Sequence, residues 1–178
     1  MTHVLERAAA EERFRPVFCH LAAITAYARR RGSADADAIA AETMTIAWRR
    51  LADVPRDDPL PWLYATARNL VLAERRGSPR SAVLDRFDAA APTADLHELD
   101  PELELALHRL SPTDREALLL VAWEDLTPAQ AARALGVNAT AFRVRLLRAR
   151  RRLRDHLAVA AADSAPPAHL VHADVEGT

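Results

Sequence analysis

Residues 127–154 read TPAQAARALGVNATAFRVRLLRARRRLR, and the rest of the chain can be organised around them. Thr127 followed by Pro128 sets a capping oxygen before a proline that a first helical turn tolerates, which predicts a short helix ending at Leu135. Gly136 can take left-handed backbone, and Asn138 caps a second helix that extends to about Val159. Phe142, Leu146, Ala149, Leu153 and Leu157 recur on one face of that second helix. Ala131 and Ala132 are small enough for the two helices to approach closely, and Val137 plugs the angle between them. This is the anatomy of a helix-turn-helix.

The other face carries Arg143, Arg145, Arg148, Arg150, Arg151, Arg152 and Arg154, so residues 142–154 hold seven arginines and no acid. Neighbouring like charges on a helix repel by about a few tenths of a kcal/mol per pair. A merely solvated basic face leaves that cost standing, whereas an anionic partner relieves it. A helix N-terminus entering the major groove of duplex DNA would set Asn138, Thr140, Ala141, Arg143 and Val144 near base edges, with Arg148, Arg151 and Arg152 farther along on sugar and phosphate. Arg143 and Arg145 are expected to penetrate deepest.

Upstream, Ser111 followed by Pro112 opens another helix, with Asp114 three residues after the cap; it carries Ala117, Leu118, Leu120 and Val121 up to Trp123. Leu103, Leu105, Ala106 and Leu110 mark a helix before it. From 78 to 101 the chain is mostly Ala, Asp and Pro with little periodicity apart from one short turn around 82–87. Residues 81–101 hold five acids against one arginine. That stretch reads as a flexible linker whose acidity argues against phosphate contact. The expected fold class is therefore all-α, two small helical domains joined by a flexible linker: residues 8–77, the linker 78–101, and a helix-turn-helix domain over 102–159. A disordered tail is expected over 160–178.

In the first domain Phe14, Val17, Phe18, Leu21, Ile24 and Tyr27 recur at helical spacing, which predicts one helix from about Ala8 to Arg30. Gly32 ends it behind the basic run Arg29, Arg30 and Arg31. A second helix is expected from Asp35 to Leu51, capped by Ser33 or Asp35, with Ile39, Thr43, Ile46, Ala47 and Arg50 on its stripes and Trp48 beside them. Pro55, Pro59 and Pro61 interrupt the chain, and Pro61 suits the first position of a third helix running to about Arg76. Trp62, Tyr64, Arg68, Asn69, Arg75 and Arg76 on that helix combine stacking surfaces with cations, an arrangement suited to unpaired bases. The plainer role of Trp48 and Trp62 is to build a small core.

Half the residues are apolar, yet only 5% are aromatic and four are glycine; the apolar mass is mostly Ala and Leu, which favours helices over strands. Formal net charge is -1, so a polyanion would have to be held by local patches. Every basic residue is Arg. The lone Cys19 excludes an internal disulfide and a thiolate metal cluster. His20, His97, His108, His156, His169 and His172 are scattered, and no Ser-His-Asp set, phosphate-cradling glycine loop or ligand cluster accompanies them. No enzyme, cofactor or metal is expected. The lack of an apolar run of about twenty residues and of a secretory N-terminus predicts a cytoplasmic protein without membrane insertion.

With these residues in place, the chain resembles the extracytoplasmic-function class of the sigma-70 family over roughly residues 14–77 and 102–157. DADAIAAETMTIAWRRL at 35–51 is similar to the helix that grips the clamp helices of the polymerase largest subunit. PWLYATARNL at 61–70 is similar to the helix bearing on the upstream edge of the −10 element. LSPTDREALLL at 110–120, LGV at 135–137, FRVRL at 142–146 and RAR at 148–150 look like the family's domain for the −35 element. The resemblance implies a sigma factor that directs core enzyme to specific promoters and helps open them. It implies polymerase contacts through Asp35, Asp37, Ile39, Glu42, Thr43, Ile46, Arg49 and Arg50, and capture of a flipped base by the loop at about 53–60. The implied partners are the largest and second-largest subunits of core RNA polymerase, promoter DNA and, as often in this class, an anti-sigma factor.

Two other readings leave more unexplained. A helix-turn-helix transcriptional regulator acting without core polymerase accounts for residues 101–157 but gives the helices of Trp48 and Trp62 no task; dimerisation on a palindromic operator would mark it. A sigma-like adaptor that binds protein instead of DNA draws support from Ala38 and Ile39, which stand where the family usually carries an acidic residue and leucine. Strong core affinity that survives loss of Arg143 and Arg145 would mark that one.

Overall fold

A computed structural model describes residues 2–77 and 99–164, all of their regular structure helical. The linker expected over 78–101 up to residue 98, the short turn at 82–87 and the tail from 165 lie outside the described residues. Helices α1 (Thr2–Phe18), α2 (Leu21–Arg30), α3 (Ala36–Arg49) and α4 (Leu60–Gly77) pack as a first lobe. Helices α5 (Pro101–His108), α6 (Pro112–Ala122), α7 (Pro128–Ala134) and α8 (Ala139–Ser164) pack as a second. α4 lies against α7, so the buried apolar residues are continuous from Ile24, Leu63 and Ala67 to Leu120, Ala131 and Phe142.

The single helix expected from Ala8 to Arg30 is in fact two. Pro16 sits inside α1 and offers no amide to the turn before it. Three residues on, the backbone tightens, with the His20 amide donating to the Val17 carbonyl at 3.2 Å. Helix resumes at Leu21 in a new phase. Val17, Ile24 and Tyr27 stay buried, but Phe18 is turned outward and is 51% exposed. α3 is capped by Asp35, whose carboxylate accepts from the Ala38 amide at 2.9 Å, and not by Ser33. α8 runs on to Ser164 through Ala158, Ala160, Ala161 and Ala162, the best helix formers.

Two helix ends share one device. The Val137 amide donates to the Ala132 carbonyl at 2.9 Å and the Gly136 amide to the Arg133 carbonyl at 3.1 Å, with Gly136 at φ 65°. α2 ends the same way on Gly32, at φ 69°. The Gly136 turn sets the angle at which α8 leaves α7, and Phe142, Leu146 and Ala149 are buried as a result. At the α7 start, Thr127 and Gln130 form a reciprocal capping box.

Arg115, which carried no expectation of its own, is buried and holds the junction of α5 and α6. Its Nε donates to the Leu107 carbonyl at 2.8 Å, and its Nη2 to the carbonyls of His108 at 3.0 Å and Leu110 at 3.2 Å. Burial pushes its pKa down.

Gly136→Ala is expected to lower the free energy of unfolding by about 1 kcal/mol, because an L side chain is strained at positive φ although space is open around it. Gly77→Ala, at a position without positive φ, should cost nothing. Urea titrations of the two variants check the difference.

Candidate nucleic-acid interface

The inner stripe of α8 is fixed by packing, so its other residues have no choice of direction. Asn138 accepts from the Thr140 amide at 2.8 Å and the Ala141 amide at 3.4 Å, which caps α8 and anchors its N-terminus. Ala141, Val144, Arg145, Arg148 and Arg152 then face one recess together with Asn138 and Thr140, closed on one side by the start of α6. Val144 is 43% exposed, an apolar group among cations and well suited to a thymine methyl. Asp114, buried at the edge of the recess, pairs with Arg152 and sets where that guanidinium points. Arg148 and Arg151 are exposed.

Arg143 lies apart from the arginines of the recess. It stands two residues from Arg145, so about 200° separates their directions. It is exposed on the opposite flank, outside the recess. Arg145, half-buried, and Arg148 line the recess.

On α4 the expected set is divided. Asn69 and Arg76 are exposed, while Trp62 and Arg68 are half-buried. Tyr64 is buried and its hydroxyl donates to Glu124 of the second lobe at 3.4 Å. Arg75 donates to the Arg31 carbonyl at the end of α2. Tyr64 and Arg75 thus serve packing here and offer little to an unpaired strand.

Of the residues expected to meet polymerase, Asp35, Asp37, Glu42, Arg49 and Arg50 are exposed and Ile46 is half-buried. Ile39 and Thr43 are buried, and the Thr43 hydroxyl donates to the Ile39 carbonyl at 2.8 Å. These two belong to the core, on the stripe of α3 that faces inward, whereas the resemblance implied polymerase contacts for them. Trp48, outside the expected set, is 40% exposed and meets Phe14 edge-on at 5.2 Å between centroids.

Residues 101–153, from the start of α5 to well inside α8, match the family model described as sigma-70, region 4. The chain is 31% identical over 144 residues to the ECF RNA polymerase sigma factor SigE of Mycolicibacterium smegmatis, covering 75% of this chain and 56% of SigE. It is 32% identical over 132 residues to the RNA polymerase sigma factor NccH of Alcaligenes xylosoxydans xylosoxydans, covering 67% of this chain and 71% of NccH. It belongs to the extracytoplasmic-function sigma factors of the sigma-70 family.

This sigma factor is also similar to two solved structures. One is CnrH in complex with the cytosolic domain of CnrY, with a TM-score of 0.59 and 27% identity, covering 90% of this chain and 97% of that one. The other is the sigma factor RpoE in complex with the anti-sigma factor NepR from Bartonella quintana, with a TM-score of 0.58 and 25% identity, covering 82% of this chain and 96% of that one. The family is not one of catalysts. Among the described residues no helix is long and apolar enough to cross a membrane.

Asn138 both caps α8 and lines the recess of the sigma factor, and two substitutions separate these roles. Asn138→Ala is expected to cost about 1 kcal/mol of stability through the lost cap. Asn138→Asp keeps a capping oxygen and should hold stability, yet its charge faces phosphate and should weaken duplex binding. Melting curves beside gel-shift titrations check both.

Proposed function

We propose that this sigma factor seats the outer face of α8 in the major groove of the upstream (−35) promoter element, while the first lobe, docked on core RNA polymerase, receives the opened strand downstream. One observation carries the reading: packing of Phe142, Leu146 and Ala149 leaves Arg145, Arg148 and Arg152 along one recess that begins at the anchored helix N-terminus. Thr140, Arg145 and Arg148 are assigned to base edges, Arg151 and Arg152 to backbone phosphate, with Arg143 contacting backbone from the flank. Asn69, Arg76, Arg68 and Trp62 are the α4 residues assigned to the −10 element. Asp35, Asp37, Glu42, Ile46, Arg49 and Arg50 form the polymerase-facing set on α3.

Binding energy alone does the work of strand opening, with phosphodiester chemistry left to the polymerase, so the sigma factor itself is not an enzyme and acts in the cytoplasm. An anti-sigma factor belongs to the same proposal, supported by the likeness to RpoE held by NepR. The two domains at 8–77 and 102–159 correspond to the two tasks.

Purified chain added to core polymerase should bind it and start transcription from specific promoters. Arg145→Ala or Arg148→Ala should weaken binding to the specific upstream element by about 1 to 3 kcal/mol and relax its base preference. Arg151→Ala should weaken all sequences alike. Absence of both core binding and promoter-dependent initiation would overturn the proposal, and equal loss of preference from all three variants would overturn the assignment of roles.

A further inference from the structure

Asp114 stands among the cations that line the recess, a carboxylate on a surface assigned to DNA. By charge alone it would repel phosphate and lower the affinity of the sigma factor for every duplex. Its place is nevertheless built. The Ser111 hydroxyl accepts from the Asp114 amide at 3.2 Å and fixes the first turn of α6, where the helix field suits a carboxylate. The Asp114 side chain is 7% exposed, and its Oδ2 accepts from Nη1 of Arg152, whose own side chain is 56% exposed.

Joining α6 to α8 does not require this pair. The two helices already share the core that buries Leu120, Phe142 and Leu146. An ion pair with one member largely in water adds little to stability on its own. What the pair changes is the freedom of the guanidinium. Arg151, the exposed neighbour of Arg152, has no carboxylate among the described ion pairs to hold it in one direction.

Arg152 continues the row of Arg145 and Arg148, which recurs at steps of three and four residues along α8. It stands about 10 Å beyond Arg145 along the helix axis, away from the end that leads into the groove. An arginine carries its N–H donors in a rigid fork. With one terminal nitrogen held on Asp114, the other donors are offered from a fixed place at the rim of the recess. A phosphate at that place completes the fork. A phosphate displaced from it meets a cation already matched and a carboxylate that repels, whereas an unheld arginine would swing to reach it. Phosphate contacts fix the register of a protein on the duplex, and specificity is a difference of affinities that grows when the wrong complex is penalised.

Resting on the function proposed above, we infer that Asp114 is a specificity-determining positioning residue. By holding Arg152 it admits phosphate in one register of α8 and lowers affinity for unaligned duplex, so it works against total affinity and in favour of discrimination.

The full chain is titrated by fluorescence anisotropy with two labelled duplexes, one that the parent protein selects from a randomised pool and one of the same composition scrambled. The parent should prefer the selected duplex. Asp114→Asn should bind the scrambled duplex at least as tightly as the parent does, and its preference should fall severalfold. In an Arg152→Ala background the same substitution should leave the preference unchanged, since a residue that acts through Arg152 has nothing left to hold. Arg152→Lys keeps the charge at an exposed place but loses the fork, and should lose preference as Asp114→Asn does. Circular dichroism melts accompany each variant, and where Asp114→Asn does not fold, Arg152→Lys decides. Folded variants that keep the parent's preference overturn the inference, as does a loss from Asp114→Asn that persists in the Arg152→Ala background. A parent that selects no duplex overturns the proposed function instead, so the two failures are told apart.

Discussion

The packing of α8 is the constraint from which the rest follows. One helix supplies both the centre of the second lobe and its cationic face. Burying Phe142, Leu146 and Ala149 against α6 and α7 removes any freedom to rotate. At roughly 25 cal/mol per Å² of apolar surface, a buried Phe or Leu is worth about 1.5 to 3 kcal/mol, well above the few tenths that separate two like charges on a helix. Core packing therefore wins over charge repulsion, and the arginines are held together on the outside whether or not an anion is present.

Arginine is used in three physically distinct ways along this chain. Arg115 is a structural donor, spending its Nε and one terminal nitrogen on three carbonyls at the turn between α5 and α6. Arg31 is a buried cation balanced by carboxylates from the other lobe. On α8 the arginines other than half-buried Arg145 are exposed, and among the described ion pairs Arg152 is matched by a carboxylate, that of Asp114. Residue type is shared, and burial with its matching partners decides the role.

Local signals in the sequence carried most of the fold. The caps at Asp35, Ser111, Thr127 and Asn138, the glycine end at Gly136 and the alternation of Leu and Arg on α8 act within a few residues, and they locate helices by themselves. Where a long-range partner or a subtle phase decides, reading failed. Pro16 breaks the expected first helix and turns Phe18 outward. Ile39 and Thr43 were assigned to a partner although their stripe is the core. Glu116 and Glu124 carry no periodic signature, and their importance comes from Tyr27, Arg30, Arg31 and Tyr64, far away in the chain.

Ion release separates a DNA-facing helix from a solvated one most directly. Binding of duplex DNA to the sigma factor, followed across a series of salt concentrations, should give an affinity whose logarithm falls linearly with that of salt. Arg143→Ala or Arg151→Ala should each flatten the slope by about 0.9, the release from one phosphate. A slope that the parent and both variants share would contradict the account, since the guanidiniums would then face only water.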